Sequence, residues 1–359
     1  MEPMGLFALP DHLPRLSKTG DPLEVLDQVV DFEQFREPLE RALGYADGSK
    51  GGRPPYDPVV MFKILILTAR HTVSDERMEF LVWDRLSWLR FLGFDLGAPT
   101  PDRNTIWTFR ERLTKAGAIN DLFVAFEGAL RAAGYLPMGG QIVDATLVSA
   151  PRQRLTRAEK EAARVGEPAD AIWPGQPAKA AQKDLDARWT VKTGRRRPPD
   201  GAGRQLPTIA IPVFGYKNHV AIDRAWGFIR RSAVTDAACY DDSMLPELVT
   251  SDNLAASVWA DTAYRSAANE AWLADLGRVS RIHRKKPPGR PMPRHLARGN
   301  ASKSAVRALA EHVFAHQKER MGLFVRTIGL DRARTRIGLA DLAYNFQRLV
   351  FHERRAAVA

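Results

Sequence analysis

Gln141-Ile142-Val143-Asp144-Ala145-Thr146-Leu147-Val148 is the run on which the reading of this chain turns. Its β-branched residues favour an extended strand. An aspartate sits in its middle. An anion buried there is expensive unless it is paired, hydrogen-bonded, protonated or bound to a cation. A strand at this place therefore carries a chemical demand with it.

Working downstream, strand signals recur at residues 216–223 and 227–234, with Arg224-Ala225-Trp226 as the turn between them. A helix is expected over 241–252, a strand at 257–260, a helix near 267–276 and a short strand at 278–282. Three strands, helix, strand, helix, strand predicts an α/β domain with a mixed sheet. Two closing helices are expected at about 305–321 and 332–352. Leu339, Leu342, Phe346, Leu349 and Val350 share one face of the second, the pattern of core packing. Residues 150–207 are rich in Pro, Gly, Arg and Lys, including Arg195-Arg196-Arg197-Pro198-Pro199, and read as a mostly extended insertion or arm.

Upstream, residues 1–50 form a preface, with Asp21-Pro22 and Asp31 marking one or two short helices. Gly51-Gly52-Arg53-Pro54-Pro55 is a breaker cluster. Residues 56–135 read as helical: Pro58 opens an apolar run to Ile66, Ser74 is an N-cap followed by acids, and Thr100-Pro101-Asp102 opens a helix to Arg112. On that helix Ile106, Phe109 and Leu113 form an apolar stripe, leaving Arg103, Arg110 and Arg112 to face outward. The pattern is shared by a helix-turn-helix-like DNA-binding module and by a plain bundle whose arginines are merely solvated.

The chain has 359 residues, a net charge of +11 and a pI near 9.9. That balance suits a polyanionic partner, nucleic acid before anionic membrane, though an idle basic surface would look the same. Cys239 is the single cysteine, which excludes an internal disulfide and a thiolate metal cluster and suits a reducing cytosol. The N-terminus lacks the basic and apolar regions of a signal peptide. The longest apolar stretch, residues 59–69, is too short to span a bilayer. A cytoplasmic protein is expected.

Between Leu276 and Ala310 stand ten Lys or Arg and no Asp or Glu. Residues 283–304 are also broken by Pro287, Pro288, Pro291 and Pro293. A single-sign run of this kind repels itself and stays flexible until it meets an anion. Arg284, Lys285, Lys286 and Arg290 are its candidate DNA contacts.

Two further carboxylates complete a set with Asp144. Asp261 directly follows the strand Val258-Trp259-Ala260, a common ligand position in open α/β sheets, though a turn-capping aspartate looks the same. Glu311 stands four residues after Arg307 and seven before Lys318. On a regular helix those three return to nearly one face. Such a stripe can hold a metal and grip phosphates, or be a surface salt bridge. Taken together, two strand-borne aspartates and one helical glutamate can meet at one edge of a mixed sheet, where Mg²⁺-type cations find the oxygen ligands they require.

With these residues in view, the sequence resembles the DDE transposases of bacterial insertion sequences, of the insertion-sequence-five type. The N-terminal likeness lies at Gly52-Arg53-Pro54-Pro55-Tyr56-Asp57-Pro58, Ser74-Asp75-Glu76, Asp84-Arg85-Leu86-Ser87, Arg90-Phe91-Leu92-Gly93 and Pro101-Asp102-Arg103-Asn104-Thr105-Ile106. It continues at Val143-Asp144-Ala145-Thr146, Asp186-Ala187-Arg188-Trp189, Gly215-Tyr216-Lys217-Asn218-His219, Ala260-Asp261-Thr262-Ala263-Tyr264-Arg265 and Arg281-Ile282-His283-Arg284-Lys285. It ends at Glu311-His312-Val313-Phe314 and Gly322-Leu323-Phe324-Val325-Arg326-Thr327-Ile328-Gly329. One departure stands out: relatives often carry Tyr seven residues before the Glu, and here that residue is Ser304.

The resemblance implies a helical preface over 1–50, a helical DNA-binding domain over 51–136 and a ribonuclease-H-like mixed-sheet catalytic domain over 137–359, with basic insertions at about 150–210 and 283–304. It implies that Asp144, Asp261 and Glu311 are the catalytic acids and hold Mg²⁺ or Mn²⁺, two ions, with Asp144 bridging both. Arg307 and Lys318 are then the basic helpers. Tyr216, Lys217, His219 and Arg265 become candidates for contacts near the scissile phosphate, and Arg103 and Arg110 for contacts from the helical domain. The implied partner is double-stranded DNA, element ends and target, bound by a homodimer associated with the bacterial nucleoid, with no membrane partner. The implied reaction is cleavage at terminal inverted repeats and transfer of the freed 3′ hydroxyls. The alternatives are a domesticated DNA-binding protein and a nuclease that does not join strands.

Overall fold

The computed structural model describes residues 8–44, 54–194, 200, 201, 203, 204 and 206–358. Gly51, Gly52, Arg53 and the Arg195-Arg196-Arg197-Pro198-Pro199 run fall outside the described residues.

Among the described residues the N-terminal region holds helices and no strand: α1 (Ala8–Lys18), α2 (Pro22–Val29), α3 (Arg36–Leu43), α4 (Pro58–His71), α5 (Asp75–Asp84), α6 (Leu86–Leu92), α7 (Arg103–Lys115) and α8 (Ile119–Ala132). The starts follow from local chemistry. Asp21, Asp57, Ser74 and Asp102 each accept a hydrogen bond from a first-turn amide, pairing donors that a helix leaves open at that end. Helix α4 runs past the expected Ile66 to His71, because the buried apolar positions continue through Ala69.

A sheet follows. Its strands are β1 (Gln141–Ser149), β2 (Arg188–Thr193), β3 (Ala210–Asp223), β4 (Ile229–Asp236), β5 (Ser257–Trp259) and β6 (Val279–Ser280). β1 lies between antiparallel β3 and parallel β5, with β6 parallel beyond β5. β2 pairs the first part of β3 and β4 pairs the rest, both antiparallel. This mixed, central-β1 arrangement is ribonuclease-H-like.

Period-two alternation sends successive β1 side chains to opposite faces. Ile142 packs with Val220, Ile222, Trp259, Val313 and Phe314 on one face. Val143 packs with Leu245, Leu248, Val258 and Leu273 on the other. The second face is covered by α12 (Leu245–Leu248) and α13 (Ala267–Asp275); the first by α14 (Arg294–Ala315) and α15 (Leu330–Ala356).

Three expectations are corrected. Residues 150–207 are not mostly extended: they hold α9 (Arg157–Arg164), α10 (Ala169–Ile172), α11 (Pro177–Ala180) and strand β2. A capping box between Thr156 and Glu159 starts α9, and Glu159 also accepts hydrogen bonds from Trp173 and Lys179. The helix expected over 241–252 is one 3₁₀ turn, Asp241–Met244, and the short α12. Gln141 ends it by capturing Thr250, whose N–H donates to Oε1 at 2.9 Å while Nε2 donates to the Thr250 carbonyl at 2.8 Å. Helix α14 begins at Arg294, immediately after the last proline of the basic run, rather than near 305.

The last helix joins the two regions. Phe32, Phe35, Phe62 and Phe126 gather around Phe346 of α15, with ring centroids 4.9 to 6.5 Å apart. The N-terminal helices thus share one apolar core with α15. No helix among the described residues is long and apolar enough to cross a membrane.

Gly215 sits on β3 at φ 151°, where a Cβ would overlap the carbonyl oxygen of Val148 and come within 2.9 Å of the Ala150 amide nitrogen. Backbone atoms cannot swing aside as a side-chain tip can. Gly215→Ala is expected to destabilise the protein by about 1–3 kcal/mol, read from urea unfolding midpoints. A cost near zero would show that the end of the β1–β3 pair has room to relax.

Candidate active site

Asp144 lies mid-way along β1, opposite Val220 of β3. It shares the face of Ile142 and Thr146, under α14. One of its oxygens accepts the Ala145 amide at 2.9 Å, and the other accepts Nη2 of Arg307 at 2.7 Å. Both side chains of this ion pair are only 13 % exposed. Burial raises the Asp144 pKa, Arg307 opposes the rise, and the charge of Asp261 adds to it.

That last influence follows from register. Ile142 of β1 stands level with Trp259 of parallel β5. Two residues further along each chain brings 144 level with 261. Asp261 leaves the strand there and caps a 3₁₀ turn, accepting the Ala263 amide at 2.7 Å.

Glu311 is one turn beyond Arg307 on α14, whose Ala310, Val313 and Phe314 pack against the sheet. It is exposed, and no hydrogen bond or ion pair holds it among the described residues. The α-helix ends at Ala315 and continues as a π-turn, His316–Arg320. The regular spacing assumed from Arg307 to Lys318 therefore breaks, yet Lys318 still donates to Oγ1 of Thr146 on β1. Burial, and then the charge of Lys192, lower the Lys318 pKa. The π-turn also sends Gln317 inward, where its amide donates to the buried Asp341.

The donors fit a hard cation, because all three acids offer carboxylate oxygens. Their positions are a different matter. Among the described residues, no three His, Cys, Asp or Glu side chains stand close enough to cage a metal ion. The expected three-acid cage is not assembled in this conformation. Arg307 takes one oxygen of Asp144, and Glu311 is exposed.

The expected phosphate contacts divide. Tyr216 and His219 have no exposed surface. The Tyr216 hydroxyl donates to Asp184 at 2.7 Å, and His219 Nε2 lies 2.9 Å from the Thr235 hydroxyl. Lys217 donates to the Cys239 carbonyl at 2.6 Å and to Asp241 at 2.8 Å. Strand parity explains the misplacement of Lys217 and His219: Asn218 and Val220 pair with Thr146 and Asp144, so 217 and 219 point to the opposite face. Arg265 is engaged by the Ile282 carbonyl and Glu270. Arg110 does not face outward; it forms a two-pronged pair with Asp75 at 2.6 and 2.7 Å. Arg103 is exposed, as are Arg284, Lys285, Lys286 and Arg290. Within the basic run Asn300 exchanges hydrogen bonds with the Arg284 backbone, and Lys303 donates to the Ile282 carbonyl.

Two residues missed as site members stand close by. His283 lies 3.4 Å from Ser304, seven residues before Glu311. Burial lowers its pKa, and Arg307 and Lys303 push the same way. Tyr264 is buried with a hydroxyl that has no hydrogen-bond partner among the described residues, within electrostatic reach of Asp241, Asp144 and Asp261. The signal for both was their place in the family-like stretches Ala260-Asp261-Thr262-Ala263-Tyr264-Arg265 and Arg281-Ile282-His283-Arg284-Lys285.

The family model described as Transposase DDE domain matches residues 136–346, more than half of the chain. The chain belongs to the DDE transposase family. A second model, Transposase domain (DUF772), matches residues 11–112. No solved structure matches the chain. In this family member Asp144, Asp261, Glu311, Arg307 and Lys318 all fall inside the matched catalytic segment.

Arg307 is what holds the buried Asp144 carboxylate down. Arg307→Gln is expected to move the Asp144 pKa further up, followed by ¹³C carboxyl NMR across a pH series. A native pKa above the unfolded one means stability present at low pH and lost as pH rises. That loss should steepen in the variant. A downward move of the Asp144 pKa would contradict the electrostatic account.

Proposed function

We propose that this protein is a transposase of the insertion-sequence-five type that binds the terminal inverted repeats of its element, cuts there and joins the freed 3′ ends to target DNA. The observation that carries the reading is the meeting of Asp144, Asp261 and Arg307 on the α14 face of the sheet, with Glu311 one turn along the same helix. On this reading residues 51–136 are the DNA-binding module and residues 137–359 the catalytic domain. The expected dimer belongs to the proposal too, since pairing two DNA ends needs more than one active site.

Asp144, Asp261 and Glu311 would hold Mg²⁺ or Mn²⁺. Bound there, such cations supply neutralisation of the transferring phosphoryl charge and activation of the attacking oxygen. The chain's own residues do the rest. Arg307 opposes the rise that burial imposes on the Asp144 pKa. Its planar guanidinium is also well shaped to hold a DNA phosphate. Lys318, beside Thr146, offers a second positive charge next to β1. The exposed Arg284, Lys285, Lys286 and Arg290 hold the duplex without reading its sequence.

Asp144→Asn should reduce Mg²⁺- or Mn²⁺-dependent nicking of element-end DNA by about 10³-fold or more, with folding checked by circular dichroism. An Asn variant that cuts like the parent removes Asp144 from the reaction. A companion joining assay separates a transposase from a nuclease that stops at cleavage. Replacing Lys285, Lys286 and Arg290 together should flatten the salt dependence of binding by about two to three logarithmic units per decade of salt. The loss should be equal on all sequences; a selective loss on one would mean that these side chains read bases.

A further inference from the structure

A cavity of about 230 Å³ opens where α4, α5 and α7 meet the first turns of α15 and the loop before it. It shares no residue with the Asp144 site. Four arginines line it, with two acids. Arg110 is matched by Asp75, and Arg332 by Glu111 through three contacts of 2.7 to 2.9 Å. Those pairs cancel. Arg326 and Arg336 remain, and no carboxylate pairs with either among the described residues.

Arg336 is the unusual member. Its polar partners are the Thr68 carbonyl and the Thr72 hydroxyl, both at a long 3.4 Å. Burial lowers its pKa to about 10, and the like charges of Arg110 and Arg326 add to the fall. A guanidinium that is desolvated and poorly matched is unfavourable by itself. Two more features point into the same space. The Thr327 hydroxyl is buried with no hydrogen-bond partner among the described residues. Thr72 is the one non-glycine residue among the described residues with positive φ, at 48°. A β-branched side chain is strained there, and this one is held with its hydroxyl toward Arg336.

We infer that this cavity is an anion site that takes a phosphate group, held by Arg336, Arg326 and the Thr327 hydroxyl. A phosphate group presents anionic acceptor oxygens, and the two guanidiniums and the Thr327 hydroxyl can donate to them. Its charge answers the two unmatched guanidiniums. A phosphate bound there would bridge the N-terminal helices and α15. Free inorganic phosphate and a phosphate of the DNA backbone offer the same chemistry, and the site accepts either source.

Thermal unfolding of the full chain in increasing inorganic phosphate, at constant ionic strength, tests the site. The parent Tm should rise with phosphate, as binding to the folded state requires. Arg336→Gln should weaken the apparent phosphate affinity by about tenfold or more, and Thr327→Val should weaken it less. In phosphate-free buffer Arg336→Gln should melt no lower than the parent, because an ill-matched charge has been removed. A phosphate response unchanged in Arg336→Gln overturns the assignment. So does a variant that melts far below the parent without phosphate, since the guanidinium would then be structural.

A DNA arm separates the two sources. If backbone phosphate is the occupant, Arg336→Gln lowers the salt slope of duplex binding by about one; if free phosphate is, the slope is unchanged and the Tm response persists. Neither response refutes the site. No arm reads DNA cleavage, so the result stands or falls apart from the catalytic assignment.

Discussion

A carboxylate buried in the central strand of a sheet has to be paired, hydrogen-bonded, protonated or bound to a cation. In this chain Arg307 answers Asp144 across the β1–α14 contact. Buried ion pairs of this kind contribute little to net stability, because desolvation consumes most of the attraction. An apolar pair of similar size would hold α14 against β1 at least as well, as Ala310, Val313 and Phe314 already do around it. On the proposed reading the charge is there for use rather than for folding. Arg307 opposes the rise that burial imposes on the Asp144 pKa.

The surrounding fold serves that constraint. Parallel pairing of β1 with β5 sets Asp261 level with Asp144, and an apolar helix face sets the depth at which Glu311 and Arg307 ride over the sheet. The π-turn after Ala315 satisfies two demands at once: Gln317 is turned in to Asp341, and Lys318 is turned out to Thr146. A regular helix would place adjacent side chains only about 100° apart. π-turns of this kind recur at functional sites.

Helix α15 carries the other half of the organisation. Phe346 closes the aromatic core of the N-terminal helices, while Asn345 exchanges hydrogen bonds with the Ile229 backbone of β4. The N-terminal region is thus fastened to the sheet by one continuous core. The arginine-lined cavity lies on that seam, where a bound anion would be felt by both sides.

Much of this was legible in the amino-acid order. Helix starts at Asp21, Pro58, Ser74 and Asp102 were readable because capping is settled within three or four residues. The strands around 141–148, 216–223 and 257–260, and the acids placed on them, were readable because alternation and apolar runs are equally local. Tertiary structure alone decided which charges meet. Whether Lys217 and His219 share a face with Asp144 depends on the register of β3 against β1, and one residue of slip would reverse it. Arg110 turned inward because α5 presented Asp75 to it, and residues 150–194 folded because Glu159 found partners fourteen and twenty residues away. Contacts of that range are chosen by the packing of whole elements, and no local pattern in the chain encodes them.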